Sequence, residues 1–130
     1  MTLLIDTHIL LWLLNDDPQL GTKSRALITD GNQALTVSYF SLFELRLKEL
    51  TGKLHIDRNI IQDLTTLNID LIMPTTEDIE RMTIYNPQNK DPLDNLLITI
   101  AVQHAYTLIT SDHQILAATV PKLKLLDGRK

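Results

Sequence analysis

The run Leu3-Leu4-Ile5 closes on a carboxylate, Asp6, and passes at once into a stretch of helical character from Thr7 to Leu14. A short apolar run followed by a helix is the start of a strand–helix unit. Pro18, after Asn15-Asp16-Asp17, biases Asp17 away from helical geometry and predicts a turn. Thr22 to Thr29 again reads as a helix, stopped at Asp30-Gly31, where glycine supplies a left-handed cap. Ala34 to Val37 predicts a second strand. Ser38 then caps a helix whose apolar positions Phe40, Leu42, Phe43, Leu45, Leu47 and Leu50 surround Glu44 until Gly52 ends it.

Beyond this helix, a further one from about Arg58 to Leu67 leads to a third strand, Ile69 to Met73, stopped by Pro74. Thr75 and Thr76 look like a helix N-terminus, with Glu77, Asp78 and Glu80 read as solvated acids that the helix dipole favours in the first turn. Tyr85 to Pro92 holds two prolines and two asparagines and reads as a loop, with Asp91 as a turn residue. Asp94 then opens a helix through Ala105 that is apolar on nearly every side, which predicts burial. Thr107 to Thr110 predicts a fourth strand, His113 to Ala118 a short helix, and Lys124 to Leu126 an edge strand. Strands alternating with helices predict an α/β sandwich on a parallel sheet.

Composition narrows the class. A chain of 130 residues is one domain by length, spanning 1–130, and buries roughly two-thirds of its unfolded surface. Hydrophobic residues at 44% and charged residues at 22% fit an ordinary globule. The greasy stretch Ile9 to Leu14 is too short to cross a bilayer, and Met1 is followed by neither a basic region nor a cleavage site, so a cytoplasmic protein is expected. Zero cysteines exclude disulfides and thiolate metal sites. A net charge of −4 argues against a broad basic footprint for nucleic acid, but acids gathered around a cation would be neutralised locally. Arg46, Lys48, Lys53 and Lys90, close in sequence to the candidate acids, then supply the local cations.

The candidate chemistry lies in four acids. Asp6 and Asp112 end strands, where ligands gather in a doubly wound sheet; Glu44 sits in an apolar helix, and Asp94 opens another. Carboxylates brought together in one pocket repel each other unless a divalent cation neutralises them, which points to a metal-dependent hydrolase. Each acid also has a plainer reading: a helix N-cap for Asp6, Asp94 and Asp112, and a surface pair with Lys48 for Glu44. His8, His55, His104 and His113 are scattered and form no zinc pattern. Trp12 and Leu11 read as core, and Tyr39, Phe40 and Phe43 as core or partner groove. A dehalogenase-type phosphatase needs a second acid where His8 stands, and a receiver module needs paired acids where Ile5-Asp6-Thr7 offers one.

Ile5-Asp6-Thr7-His8-Ile9-Leu10-Leu11-Trp12 resembles the opening of PIN-domain proteins, in particular VapC-type toxins of bacterial toxin–antitoxin systems. The resemblance continues through Val37-Ser38 to Glu44 with Lys48 and Gly52-Lys53-Leu54, then Lys90-Asp91-Pro92-Leu93-Asp94, then Leu108-Ile109-Thr110-Ser111-Asp112. It covers essentially the whole chain in order. What it implies is a PIN-like three-layer α/β/α sandwich with a central, mostly parallel sheet of four or five strands. It further implies an endoribonuclease dependent on Mg²⁺ or Mn²⁺, homodimeric and held inactive by a cognate antitoxin.

By the same resemblance Asp6, Glu44, Asp94 and Asp112 match the family's acids, and Thr110 its hydroxyl residue before the last acid. Asp6 and Asp94 are the expected direct metal ligands, with Glu44 and Asp112 completing the site around a second ion or an attacking water. In-line attack by water would leave a 5′-phosphate and a 3′-hydroxyl. One departure stands out: Leu93 and Asn95 flank Asp94 where the family often has Phe and Arg, which removes a potential phosphate contact. A PIN-fold binding or regulatory protein with little nuclease activity is the alternative, disfavoured because all four acids are present.

Overall fold

Leu3 and Ile5 point to one side of the first strand, β1 (Thr2–Ile5), and Leu4 to the other, and all three are fully buried. Side chains alternate faces along a strand, so a strand apolar on both sides must have a core on each. The computed structural model, which describes residues 1–130, has those two cores. One gathers Leu3, Ile5, Val37 and Ile109 with Ile9, Leu10 and Trp12 of helix α1 (Thr7–Leu14). The other gathers Leu4, Leu108 and Ile115 with Leu97, Ile98 and Ile100 of a later helix.

In chain order the remaining elements are α2 (Thr22–Thr29), β2 (Ala34–Ser38), α3 (Tyr39–Leu50), α4 (Ile60–Thr66), β3 (Ile69–Ile72), α5 (Thr76–Arg81), α6 (Pro92–Gln103), β4 (Thr107–Thr110), α7 (His113–Leu116) and β5 (Lys124–Asp127). The strands form one five-stranded sheet in the order β3-β2-β1-β4-β5. Every pairing is parallel, and Leu4 of β1 sits opposite Thr36 on one side and Leu108 on the other. The expected sandwich is therefore present, with five strands and no antiparallel member.

From β1 the chain builds outward through β2 to β3, then returns to lay β4 and β5 on the opposite flank. The strand order thus reverses between β1 and β4, and a crevice opens there beyond the strands' carboxyl ends. The Asp6 backbone amide still donates to Ile109 O at 3.0 Å, carrying the β1–β4 ladder to the lip of that crevice. Past β5, the Gly128 amide reaches Thr110 O at 2.9 Å, and a Cβ on Gly128 would collide with Ile9 Cδ1. A side chain at 128 would require the Ile9 side chain of α1 to move aside.

Two details differ from the sequence reading. Helix α6 begins at Pro92 rather than Asp94, because Asp91 Oδ1 accepts from the amides of Leu93 (2.9 Å) and Asp94 (3.3 Å) and so caps the helix. Proline at the first helical position lacks only an amide that would be unpaired anyway. Asp78 is not a solvated acid: it is 1% exposed, accepts from the Thr75 amide at 2.8 Å in a capping box, and contacts His104 Nε2 at 3.1 Å. The packing of α5 against α6 encloses it.

Burial pushes the Asp78 carboxyl up, but hydrogen bonds from Thr75 and His104 outweigh it and hold the group below its ordinary value of 3.8. A depressed carboxylate stabilises the fold above that value and loses its contribution as acid protonates it. Asp78→Ala should cost about 2 kcal/mol at pH 7 by urea unfolding. The difference from wild type should shrink as the pH falls below 3.8.

Candidate functional site

Asp6 emerges from β1 with extended backbone (φ −71°, ψ 164°) and serves as the N-cap of α1. Its Oδ1 accepts from the Thr7 amide at 2.7 Å, and its Oδ2 from Thr110 Oγ1 at 2.6 Å. Both readings of the residue therefore hold, cap and pocket acid, since it also lines a small cleft at the crevice. Thr110 is fully buried at the end of β4, and its hydroxyl accepts in turn from the Asp112 amide at 3.1 Å. One hydroxyl thus ties together the first and last of the four acids.

Glu44 arrives from α3, whose start is set by Ser38 Oγ accepting from the Phe40 amide at 3.1 Å. Its Oε1 accepts from Thr7 Oγ1 at 2.7 Å and its Oε2 lies 3.5 Å from Lys48 Nζ, so it is both a cleft acid and half of an i,i+4 ion pair. Thr7 is the residue that sequence reasoning missed: its amide holds Asp6 while its hydroxyl holds Glu44. A threonine opening a helix carries no signal that separates this role from an ordinary one.

Asp94 lies in the first turn of α6 and faces the same cleft, which Asp6, Thr7, Glu44 and Asp94 line together with Phe40 and Leu97. Its Oδ2 accepts from Asn89 Nδ2 at 2.9 Å. Asp112 does not line the cleft. It caps α7, its Oδ1 accepting from the amides of Gln114 (2.8 Å) and Ile115 (3.0 Å). Its charge nonetheless helps to raise the Asp94 carboxyl. Among the expected cations only Lys48 touches a cleft acid, and Arg46 pairs with Glu49 at 2.7 Å. Arg129 stands 5.6 Å over the Trp12 ring and donates to Ser111 O, next to Asp112.

Burial raises the Asp6 carboxyl above its ordinary value; hydrogen bonds from Thr110 and Thr7 oppose the rise, and the charge of Glu44 adds to it. Asp94 is pushed up to about 6, first by burial and then by the charges of Asp112, Asp91 and Asp6, against the Asn89 hydrogen bond. These groups are near enough to repel. No three of the acids and histidines stand as a ready cage for one ion. The donors are all hard oxygens, however, and Mg²⁺ typically takes one or two carboxylates and keeps several waters, a demand that a pair such as Asp6 and Asp94 meets. The residues fit a partly hydrated Mg²⁺ or Mn²⁺, not an all-protein cage and not zinc.

A carboxyl raised on folding stabilises while it is protonated, and that contribution is lost as the pH climbs through its folded value, here about 6. In EDTA, Asp94→Asn should therefore be more stable than wild type at pH 8, by about 1 kcal/mol once screening at this half-buried site is allowed for. The gain should vanish below pH 3.8, the ordinary value of the group. Chemical denaturation at the two pH values measures it.

The sequence profile described as PIN domain matches residues 3–120. Among solved structures the chain is similar to VapBC2 from Rickettsia felis bound to a DNA fragment from their promoter, with a TM-score of 0.65 and 17% identity over 97% of this chain and 98% of that one. It is also similar to a toxin–antitoxin complex from Klebsiella pneumoniae (TM-score 0.60, 18% identity, 96% of each chain). A third is VapBC-1 from nontypeable Haemophilus influenzae (TM-score 0.61, 17% identity, 100% of each chain). At such identities the likeness is one of fold. No curated protein matches the chain. With the profile running from β1 past β4 and the cleft acids of β1, α3 and α6 all inside it, the chain belongs to the PIN-domain family.

Proposed function

We propose that the protein is the toxin of a toxin–antitoxin pair, a Mg²⁺- or Mn²⁺-dependent endoribonuclease that hydrolyses RNA phosphodiester bonds. The observation that carries this reading is the gathering of Asp6, Glu44 and Asp94 in one cleft at the sheet's switch point, in a PIN domain. Asp6 and Asp94 would hold the ion and Glu44 would orient water or a second ion, while Asp112, outside the cleft lining, would act through its charge at Asp94. Bound there, the ion supplies Lewis-acid polarisation of the scissile phosphate and offsets charge in the transition state.

The chain's own groups have separable tasks. Thr110, fully buried, acts through Asp6 by fixing its Oδ2, so it is a positioning residue rather than a group that meets RNA. Thr7 holds Glu44 at a set distance from Asp6. Lys48, paired with Glu44 at 3.5 Å, would supply positive charge for a phosphate of the incoming strand. Accessible bases in single-stranded or looped RNA make that the expected substrate form.

An antitoxin partner is supported by the solved toxin–antitoxin complexes that share the fold. Tyr39, Phe43, Leu47 and Leu50 form an exposed stripe along α3 at helical spacing, 47–66% accessible, which is the kind of apolar surface a protein partner covers. Homodimerisation and a cytoplasmic location belong to the same proposal. No helix is long and apolar enough to cross a membrane.

Incubation with structured RNAs should give cleavage with Mg²⁺ or Mn²⁺ that stops on adding EDTA. Asp6→Asn and Asp94→Asn should each lower the rate at least about a hundredfold while remaining folded. Cutting by metal-stripped protein or by either variant would refute the metal-dependent mechanism, and RNA left intact by the metal-loaded protein would refute the nuclease reading. If a short reading frame for an antitoxin lies immediately upstream, its co-expressed product should co-purify with the wild type, and Leu47→Asp with Leu50→Asp should abolish that. RNA cleavage by the isolated variant should persist.

A further inference from the structure

Asn95 stands where, by the resemblance, PIN-domain proteins often have an arginine, and it does not line the cleft. It is 3% exposed, its Nδ2 donates to Asn89 O (3.2 Å) and Asp91 O (2.9 Å), and its Oδ1 accepts from the Tyr85 amide at 3.1 Å. Tyr85 is pinned again through its hydroxyl, 2.8 Å from Thr99 Oγ1. The side chain at 95 is thus a latch that fastens the connection between α5 and α6 down onto α6.

The latch sets the place of Asn89, itself only 5% exposed. Its backbone amide donates to Asn86 O at 2.8 Å, its side-chain Oδ1 accepts from the Asp91 amide at 3.2 Å, and its Nδ2 donates to Asp94 Oδ2 at 2.9 Å. The amide cannot be turned over, because that would set its oxygen against the Asp94 carboxylate and its NH₂ against the Asp91 N–H. Asn89 therefore offers Asp94 a donor of fixed direction. That donor occupies one carboxylate oxygen, while Oδ1 accepts no hydrogen bond from the protein.

We propose that Asn89, held by the Asn95 latch, is a positioning residue of the acidic centre: it clamps Asp94 Oδ2 so that Oδ1 is the oxygen presented to a divalent cation. This rests on the reading of Asp94 as a metal ligand. Hydrogen bonds that orient a carboxylate ligand act on metal affinity through its geometry, and their loss typically costs 10- to 100-fold. The latch also gives position 95 a different task in this chain, since an arginine there would have to abandon the polar contacts that fold the connection over.

The test is Mn²⁺ binding by isothermal titration calorimetry without RNA, on wild type, Asp94→Asn, Asn89→Leu, Asn89→Ser and Gln88→Ala, alongside RNA cleavage as a function of Mn²⁺ concentration. Asn89→Leu should weaken Mn²⁺ binding about tenfold or more and raise the half-saturating Mn²⁺ for cleavage by the same factor. Cleavage at saturating Mn²⁺ should stay within about threefold of wild type, a split that a general loss of structure would not produce. Gln88→Ala, exposed on the same connection, should match wild type. If Asn89→Leu does not fold, Asn89→Ser is read in its place, with the same expectation. Unchanged Mn²⁺ affinity in a folded Asn89 variant, with Asp94→Asn impaired, overturns the positioning role alone. Wild type that binds no Mn²⁺, or Asp94→Asn that binds it normally, overturns the metal site and this inference with it. Wild type that binds Mn²⁺ in the expected pattern across the variants but leaves RNA intact supports the positioning role and removes only the nuclease activity.

Discussion

The bond from Thr110 Oγ1 to Asp6 Oδ2, 2.6 Å long, closes the seam between β1 and β4, and the acidic cleft depends on it. A carboxylate half-buried at the end of a strand is costly unless its oxygens are partnered. Here the Thr7 amide satisfies one and Thr110 the other. The hydroxyl that steadies Asp6 also receives the Asp112 amide, so the ends of β1 and β4 keep their spacing through one side chain. Valine at 110 would preserve the strand and the packing, yet it would leave Asp6 short of a donor and the Asp112 turn short of an acceptor.

Around this seam the fold accumulates negative charge in a place where burial makes it expensive. Asp94 responds with a proton affinity raised to about 6, while Asp78, equally acidic by sequence but surrounded by donors, moves the opposite way. The contrast follows from hydrogen bonding. Asp78 is matched by the Thr75 amide and His104, whereas Asp94 has one amide donor from Asn89 against three neighbouring carboxylates. A structural acid is neutralised from within the protein; a cleft acid is left wanting positive charge from outside.

Much of this was readable in the residues, for reasons that can be named. Apolar runs buried on both faces announce themselves without alternation, so β1 and β4 stand out, and a carboxylate at the end of such a run is hard to place except at the sheet's crevice. Glu44 was legible because the helix around it is so apolar. The start of α6 lies two residues before the sequence expectation although Asp91-Pro92 carries a local cap signal, because Asn86, Pro87 and Asn89 just upstream also read as loop. The first-turn place of Asp78 behind Thr75 was legible, but the burial of Asp78, Asn89 and Asn95 was not. Their burial comes from how α5 and the connection after it lie against α6, and no spacing along the chain reports that.

Asp6 and Thr110 lie 104 residues apart in sequence, with β2 and β3 formed on one flank before β4 can enter on the other. Contacts between such distant segments are slow to form and come only when nearly all of the chain is available. A growing polypeptide that has left the ribosome as far as α6 would carry three of its four acids yet lack the strand that shapes their cleft. Long-range closure of the sheet thus sets an order of events, in which the cleft takes its shape only after β4 has joined β1.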